Sequence, residues 1–140
     1  FLPMWCKTLA NVPVLKESCL EDITRWFRQE GKRIMHKNLE QHLAKMKSIT
    51  DTWWGNDIDF HLSPTVTCLA PKSESPLNET REQMLARMVP LGAYTALSNV
   101  MGYAAVTLPV GSSQSGLPIG IQLMAPQGND AVLLQLAQEI

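Results

Sequence analysis

The chain has 140 residues, 45% hydrophobic and 18% charged, with 12 Lys and Arg against 13 Asp and Glu. A chain near ~150 residues can bury roughly 70% of its unfolded surface, so one domain, or a piece of a larger protein, is the expected scale. The net charge of -1 leaves no basic excess to neutralise a phosphate backbone, which argues against nucleic-acid binding.

Residues 1–16, with Pro3 and Pro13, show no clear period and read as a loop or linker. Ser18 and Glu21 then form a candidate capping box. Leu20, Ile23 and Phe27 follow at helical spacing until Gly31 supplies a stop. Met35, Leu39, Leu43, Met46, Ile49 and Trp53 make one apolar stripe with Lys, Glu and Gln between them, which predicts an amphipathic surface helix ending at Gly55. The stretch 59–65 reads as a short strand closed by Pro64, because proline cannot donate to a ladder and suits a strand end. A proline-punctuated loop over 66–76 precedes a helix from about Leu77 to Met88, with Ser75 as its cap and Pro76 as its first residue. Pro90 separates this from a further helix, Leu91 to Met101, terminated by Gly102.

From Met88 to Asn129 there is no charged residue. Pro90, Gly92, Gly102, Pro109, Gly111, Gly116, Pro118 and Gly120 cut the apolar runs below the ~20 residues a membrane-spanning helix requires, so the stretch reads as the core of a soluble fold. The runs 104–110 and 119–125 look like strands covered on both faces. The short loop Gly111-Ser112-Ser113-Gln114-Ser115-Gly116 makes them an antiparallel hairpin or close neighbours. Asn129 caps a last helix carrying Val132, Leu133, Leu136 and Ile140. The order of elements points to an α/β fold, a mixed β-sheet flanked by helices, with 1–56 as a linker and helical region and 57–140 holding the strands. So uncharged an interior also calls for additional partner surface.

Composition and spacing reveal no catalytic set. Cys6, Cys19 and Cys68 are odd in number and lack a C-x-x-C spacing, which speaks against a disulfide framework or zinc site and for a reducing, cytoplasmic setting. Cys68 follows His61 by seven residues, as a thiol and its base could, although a free cysteine more often behaves as a small buried hydrophobe. His36 and His42 fall on different faces of their helix. Trp53 and Trp54 suit core packing better than ligand stacking. Gly111-Ser112-Ser113 has no Lys or His nearby to activate a hydroxyl and reads as a turn. Asp57 and Asp59 share a strand face, with nothing else to complete a metal site.

Three segments read together say more. Residues 59–65 (DFHLSPT), 99–111 (NVMGYAAVTLPVG) and 116–126 (GLPIGIQLMAP) resemble, in content, order and spacing, the C-terminal part of the amidase signature family. That family shows roughly D-x-x-L-x-P-T, N-x-x-G-x-P-A-x-x-x-P-x-G and G-L-P-x-G-x-Q-x, then a terminal helix. Ala104 stands where the family usually has proline, which restores a backbone N–H before the strand.

The resemblance implies a parent enzyme that hydrolyses carboxamides through an acyl-serine, with a second serine relaying protons to a lysine and no metal or organic cofactor. Those catalytic residues lie upstream in the family, so none is expected here and the 140 residues alone should be inactive. Thr65, Thr95 and Asn99 are the candidate substrate-pocket residues. In the family's glutaminase subunit the corresponding helix resembles D-x-x-T-x-x-x-N, its acid pairing with a substrate ammonium group; here Thr95 and Asn99 keep the spacing and Gly92 replaces the acid. An ammonium buried without a carboxylate is costly, so a neutral, partly apolar acyl group is the expected substrate. The expected partners are a small amide and, through an exposed apolar face, another copy of the chain; a free-standing α/β binding domain is the rival reading.

Overall fold

The computed structural model describes residues 2–54, 58–72 and 79–140. The chain divides into two compact units, Phe1–Thr52 and Trp53–Ile140.

The first unit is helical from its start. Helix α1 spans Leu2–Asn11, which corrects the reading of residues 1–16 as a loop or linker. Leu2, Trp5, Cys6 and Leu9 recur at helical spacing, and Pro3 sits in the first turn, where its missing N–H would have had no partner anyway. A 3-10 turn, Glu17–Cys19, leads to α2, Asp22–Arg33. Ser18 lies inside that turn and Glu21 holds the N-cap position without a side-chain bond, so the expected capping box does not form. Nor does Gly31 stop the helix. It is buried where α2 crosses α1, and a Cβ there would collide with the Cys6 carbonyl and come within 2.9 Å of Ala10 Cβ. Trp5 packs on Phe27 at 4.8 Å between ring centroids.

Arg28 ties the unit together. It is 6% exposed, its Nε and Nη2 donate to Glu17, and its Nη1 donates to the carbonyls of Val12 and Leu9 at the end of α1. Helix α3, His36–Trp54, carries the expected stripe from Leu39 on, with Leu39, Leu43 and Met46 half-buried and Ile49 exposed, while Met35 lies just before the helix and is exposed. Its buried position is Thr50, whose hydroxyl donates back to Met46 O and Lys47 O at 3.1 Å.

The second unit holds β1 (His61–Pro64), α4 (Arg81–Met88), a 3-10 turn (Val89–Gly92), α5 (Thr95–Met101), β2 (Ala104–Ser112), β3 (Pro118–Ala125) and α6 (Asp130–Gln138). Thr80 caps α4 by a reciprocal box with Gln83, three residues into the helix. The expected cap at Ser75, with Pro76 and Leu77 following, lies outside the described residues. Leu91 belongs to the 3-10 turn, and α5 begins at Thr95 because Pro90 and Gly92 interrupt the helical ladder; Gly102 ends α5 at φ 69°, as its sequence position implies.

The sheet has the order β1-β3-β2, and both pairings are antiparallel. Helices with one sheet give the α/β class that the sequence indicates, although the described strands pair antiparallel throughout and not in the mixed arrangement expected, since the short connection makes β2 and β3 a hairpin and β1 joins β3 from the other side. The β2–β3 hairpin closes as expected: Ser113 N donates to Leu117 O at 2.8 Å, and Gly116 takes φ 80°. On one face Ala104, Leu123 and Ala125 pack with Leu133 of α6, joined by Phe60, Val106 and Leu108. Burial on both faces holds for Gln122–Ala125 of the central strand, whereas Val106 and Leu108 on the edge strand, and Ile121, are half-buried. Asn129 precedes α6, but its side chain donates to Pro126 O instead of capping the helix. Among the described residues no helix is long and apolar enough to cross a membrane.

Candidate functional site

The sheet face opposite α6 is set by register. Side chains directly paired across strands share a face, so His61, Met124 and Ala105 form one row, and Ser63, Gln122 and Thr107 the next. Gln122 is the polar residue in an apolar strand. It is buried, and its Nε2 donates to Tyr94 O at 3.4 Å, tying the sheet to the segment that leads into α5. Thr67 Oγ1 holds the same segment by donating to Pro90 O at 3.1 Å. Between this face and α5 lies a groove of about 410 Å³, lined by Trp53, His61, Ser63, Tyr94, Leu97 and Met124 among others. The His61 ring stacks on Trp53 at 5.2 Å and 11° between planes, and Trp54 meets Tyr103 edge-on.

The three expected pocket residues occupy two places. Thr95 and Asn99 stand one turn apart on α5: Asn99 Nδ2 donates to Thr95 O at 3.1 Å, and Thr95 Oγ1 donates to Gly92 O at 3.4 Å. Thr95 is half-buried and Asn99 exposed. Thr65 instead follows β1, where its N–H donates to Gly120 O at 3.0 Å. Its Oγ1 is buried without a partner, and a Cβ on Gly120 would come within 2.9 Å of it, so Gly120 is what makes room for the hydroxyl. None of the three lines the groove.

Other candidates resolve differently. Cys68 is an exposed free thiol, while His61 Nδ1 is buried without any hydrogen-bond partner and so receives no proton from Cys68 through that atom. The Ser113 and Ser115 hydroxyls lie 2.9 Å apart and Ser113 Oγ accepts from Leu117 N, which is turn chemistry. His42 Nδ1 donates to Asn38 O within its own helix. Among the described residues no group of three or more His, Cys, Asp or Glu side chains is arranged to hold a metal ion. Residue-by-residue reading missed Ser63 and Tyr94 as parts of the groove, and Gln122 as the buried tie from the sheet to Tyr94. A lone amide inside an apolar strand was the available signal for Gln122.

The comparisons with known proteins agree with this architecture. Residues 7–134 match the family model described as Amidase. The chain is 31% identical over 97 residues to a 6-aminohexanoate-cyclic-dimer hydrolase of Paenarthrobacter ureafaciens, which covers 64% of this chain and 20% of that protein. The same figures hold for the hydrolase of that name from Pseudomonas sp. strain NK87. The solved structure of 6-aminohexanoate cyclic dimer hydrolase complexed with substrate superposes with a TM-score of 0.69 at 25% identity, over 89% of this chain and 28% of its own. The chain thus spans well under a third of the length of these relatives.

Proposed function

Because the chain belongs to the amidase family, we propose that the protein it is part of cleaves the C–N bond of carboxamides. The family match over 7–134 is the observation that carries this reading. The serine that attacks the carbonyl, the serine and lysine that move its proton, and the backbone donors that hold the oxyanion belong to polypeptide outside this stretch. Attack forms an acyl-serine and expels the amine, and water then releases the acid. The 140 residues alone are expected to be inactive.

This chain's part is to wall the acyl group. Thr95 and Asn99 on one side of α5 are the hydroxyl and amide contacts we assign to it, with Thr65, whose hydroxyl is buried against Gly120, bracing the wall from the end of β1, in surroundings that carry no charge from Met88 to Asn129. Gly92 stands where an ammonium-binding carboxylate would be needed, which supports a neutral, partly apolar amide over a free amino-acid amide. The unpaired thiols of Cys6, Cys19 and Cys68 support a reducing, cytoplasmic setting.

The test is a substrate panel on the full-length protein. An aliphatic or aryl amide is expected to outpace glutamine. Thr95→Val and Asn99→Ala are expected to lower kcat/KM by about 2–10-fold each, the worth of one neutral hydrogen bond. Preference for glutamine would overturn the reading of Gly92, and turnover by the 140 residues alone would overturn the assignment of catalysis to the rest of the protein.

A further inference from the structure

The side-chain donors around α5 are spent on the main chain. Pro90 and Gly92 interrupt the helical ladder, and side chains satisfy the carbonyls there. Thr67 Oγ1 donates to Pro90 O at 3.1 Å, Thr95 Oγ1 to Gly92 O at 3.4 Å, and Gln122 Nε2 to Tyr94 O at 3.4 Å. The carbonyl of Thr95 accepts from two side chains, Ser98 Oγ at 2.9 Å and Asn99 Nδ2 at 3.1 Å.

This gives the wall a polarity. A hydroxyl has a single proton beside its lone pairs, so Thr95 Oγ1, its proton committed to Gly92 O, has only lone pairs left for a ligand. Asn99 commits one N–H to Thr95 O and keeps the other, together with the acceptor Oδ1. Ser98 is buried, Thr95 half-buried and Asn99 exposed, so Thr95 and Asn99 are the pair open to a ligand. What they offer is mainly oxygen lone pairs. These oxygens are neutral, and no residue from Met88 to Asn129 carries a charge. A neutral oxygen compensates a desolvated ammonium poorly, whereas it matches a hydroxyl or an amide N–H fully.

We propose that the acyl group received by this wall carries a neutral hydrogen-bond donor, a hydroxyl or an amide N–H, which Thr95 Oγ1 and Asn99 Oδ1 accept. An acyl group with only an acceptor at that place sets lone pairs against lone pairs and loses its water for nothing. The proposal rests on the reading of Thr95 and Asn99 as acyl contacts of a full-length amidase, and adds the direction of the bond.

The experiment uses the full-length protein and aliphatic primary amides of one chain length. A hydroxyl is stepped along the chain beyond the carbon next to the carbonyl, and each hydroxy amide is paired with its fluoro and methoxy counterparts. Fluorine is close to a hydroxyl in size and donates nothing. At one chain position the hydroxy amide is expected to exceed both counterparts in kcat/KM by about 5–10-fold, chiefly through KM. Thr95→Val/Asn99→Leu is expected to abolish that preference, and Ser98→Ala, whose lost hydroxyl served the Thr95 carbonyl, to keep it. Affinity for the same amides is measured in parallel by calorimetry. Fluoro or methoxy amides that equal the hydroxy amide at every position overturn the proposal, and so does a hydroxyl preference that survives Thr95→Val/Asn99→Leu. Hydrolysis without a donor preference removes the proposal and leaves the enzyme reading. Tighter binding of the hydroxy amide without hydrolysis defeats the enzyme reading and leaves the acceptor wall standing.

Discussion

The two units are built by different physics. In the first, α1 and α2 bury few large side chains, Cys6 and Phe27 among them, and cationic side chains supply the bracing, Arg28 first and then Lys7, which donates to Ile34 O at 2.9 Å. Arg28 holds Glu17 and closes the open carbonyl end of α1, work that water would otherwise do. The second unit has Leu123, Met124, Ala125 and Leu133 at its centre, and its polar cross-tie is neutral, from Gln122 to Tyr94. A short helical hairpin with little core gains its unique packing from a directional ion pair and a glycine contact. A sheet covered by helices gains it from shape and register.

The largest effect that would break this contrast is in the apolar unit. Leu133 is 2% exposed against the sheet, so Leu133→Ala is expected to cost about 2–5 kcal/mol in urea unfolding. Leu134, the next residue, is 56% exposed, and Leu134→Ala is expected to stay within about 0.5 kcal/mol. Equal losses at the two positions would mean α6 does not dock by the Leu133 face. Leu108→Ala and Ile121→Ala, at half-buried sites, are expected to fall between.

Next comes Gly31→Ala, where two effects have opposite signs. Alanine improves helix propensity by about 1 kcal/mol. Overpacking at a tight contact costs about 1–3 kcal/mol, and here the obstacle is the Cys6 backbone carbonyl, which cannot rotate away as a side-chain end could. Net destabilisation of the helical unit, read by circular dichroism during thermal unfolding, is expected. A gain in stability would show that α1 is free to shift.

Arg28→Lys sharpens the comparison further. Lysine keeps the charge and loses the fork that reaches Glu17 and two carbonyls at once, so a loss of about 1–2 kcal/mol is expected, moderated because Val12 is exposed and water can replace part of the bonding. The neutral cross-tie offers the matching control: Gln122→Leu keeps apolar shape and removes one long hydrogen bond of 3.4 Å, and a smaller loss is expected. If Gln122→Leu costs more than Arg28→Lys, the contrast between the units is reversed.

What the sequence made legible follows from the range of the forces involved. The hairpin of β2 and β3 is local, with turn-forming residues between two apolar runs; its connection, 113–117, is shifted from the expected 111–116 because Gly111 and Ser112 pair within β2. The stripe from Leu39 to Met46 is likewise local and visible as a period. Strand β1 was recognisable as a strand, but its pairing with β3 joins His61 to Met124 across the intervening helices, a contact no local pattern encodes. Helix α1 was hidden by Pro3, read as a breaker although a first-turn proline is harmless, and the cap of α4 by the more conspicuous Ser75-Pro76. At the candidate site, the spacing of Thr95 and Asn99 put them on one helix side, as the structure has them. The Thr65 contact with Gly120 and the stacking of His61 on Trp53 depend on register and strand edges and were not readable.

The smallest expected effect concerns acid. Hydrogen bonding from Arg28, and then its positive charge and that of Lys32, hold the Glu17 carboxyl below its usual range. A group whose folded value is depressed binds a proton more readily in the unfolded chain. Its contribution is therefore fully present above the ordinary glutamate value of about 4.3 and is lost as pH falls through the lower folded value. The helical unit should accordingly weaken on the acid side of that value and stay flat above it. Glu17→Gln should remove this component of the slope while leaving the neutral-pH fold in place. Trp5 and Trp26 lie in the helical unit and Trp53 and Trp54 in the other, so Trp53→Phe/Trp54→Phe chains would let tryptophan fluorescence follow the first unit alone during an acid titration. An unchanged acid profile in Glu17→Gln would show that the Arg28 pair orders the end of α1 by geometry, with little contribution from its charge.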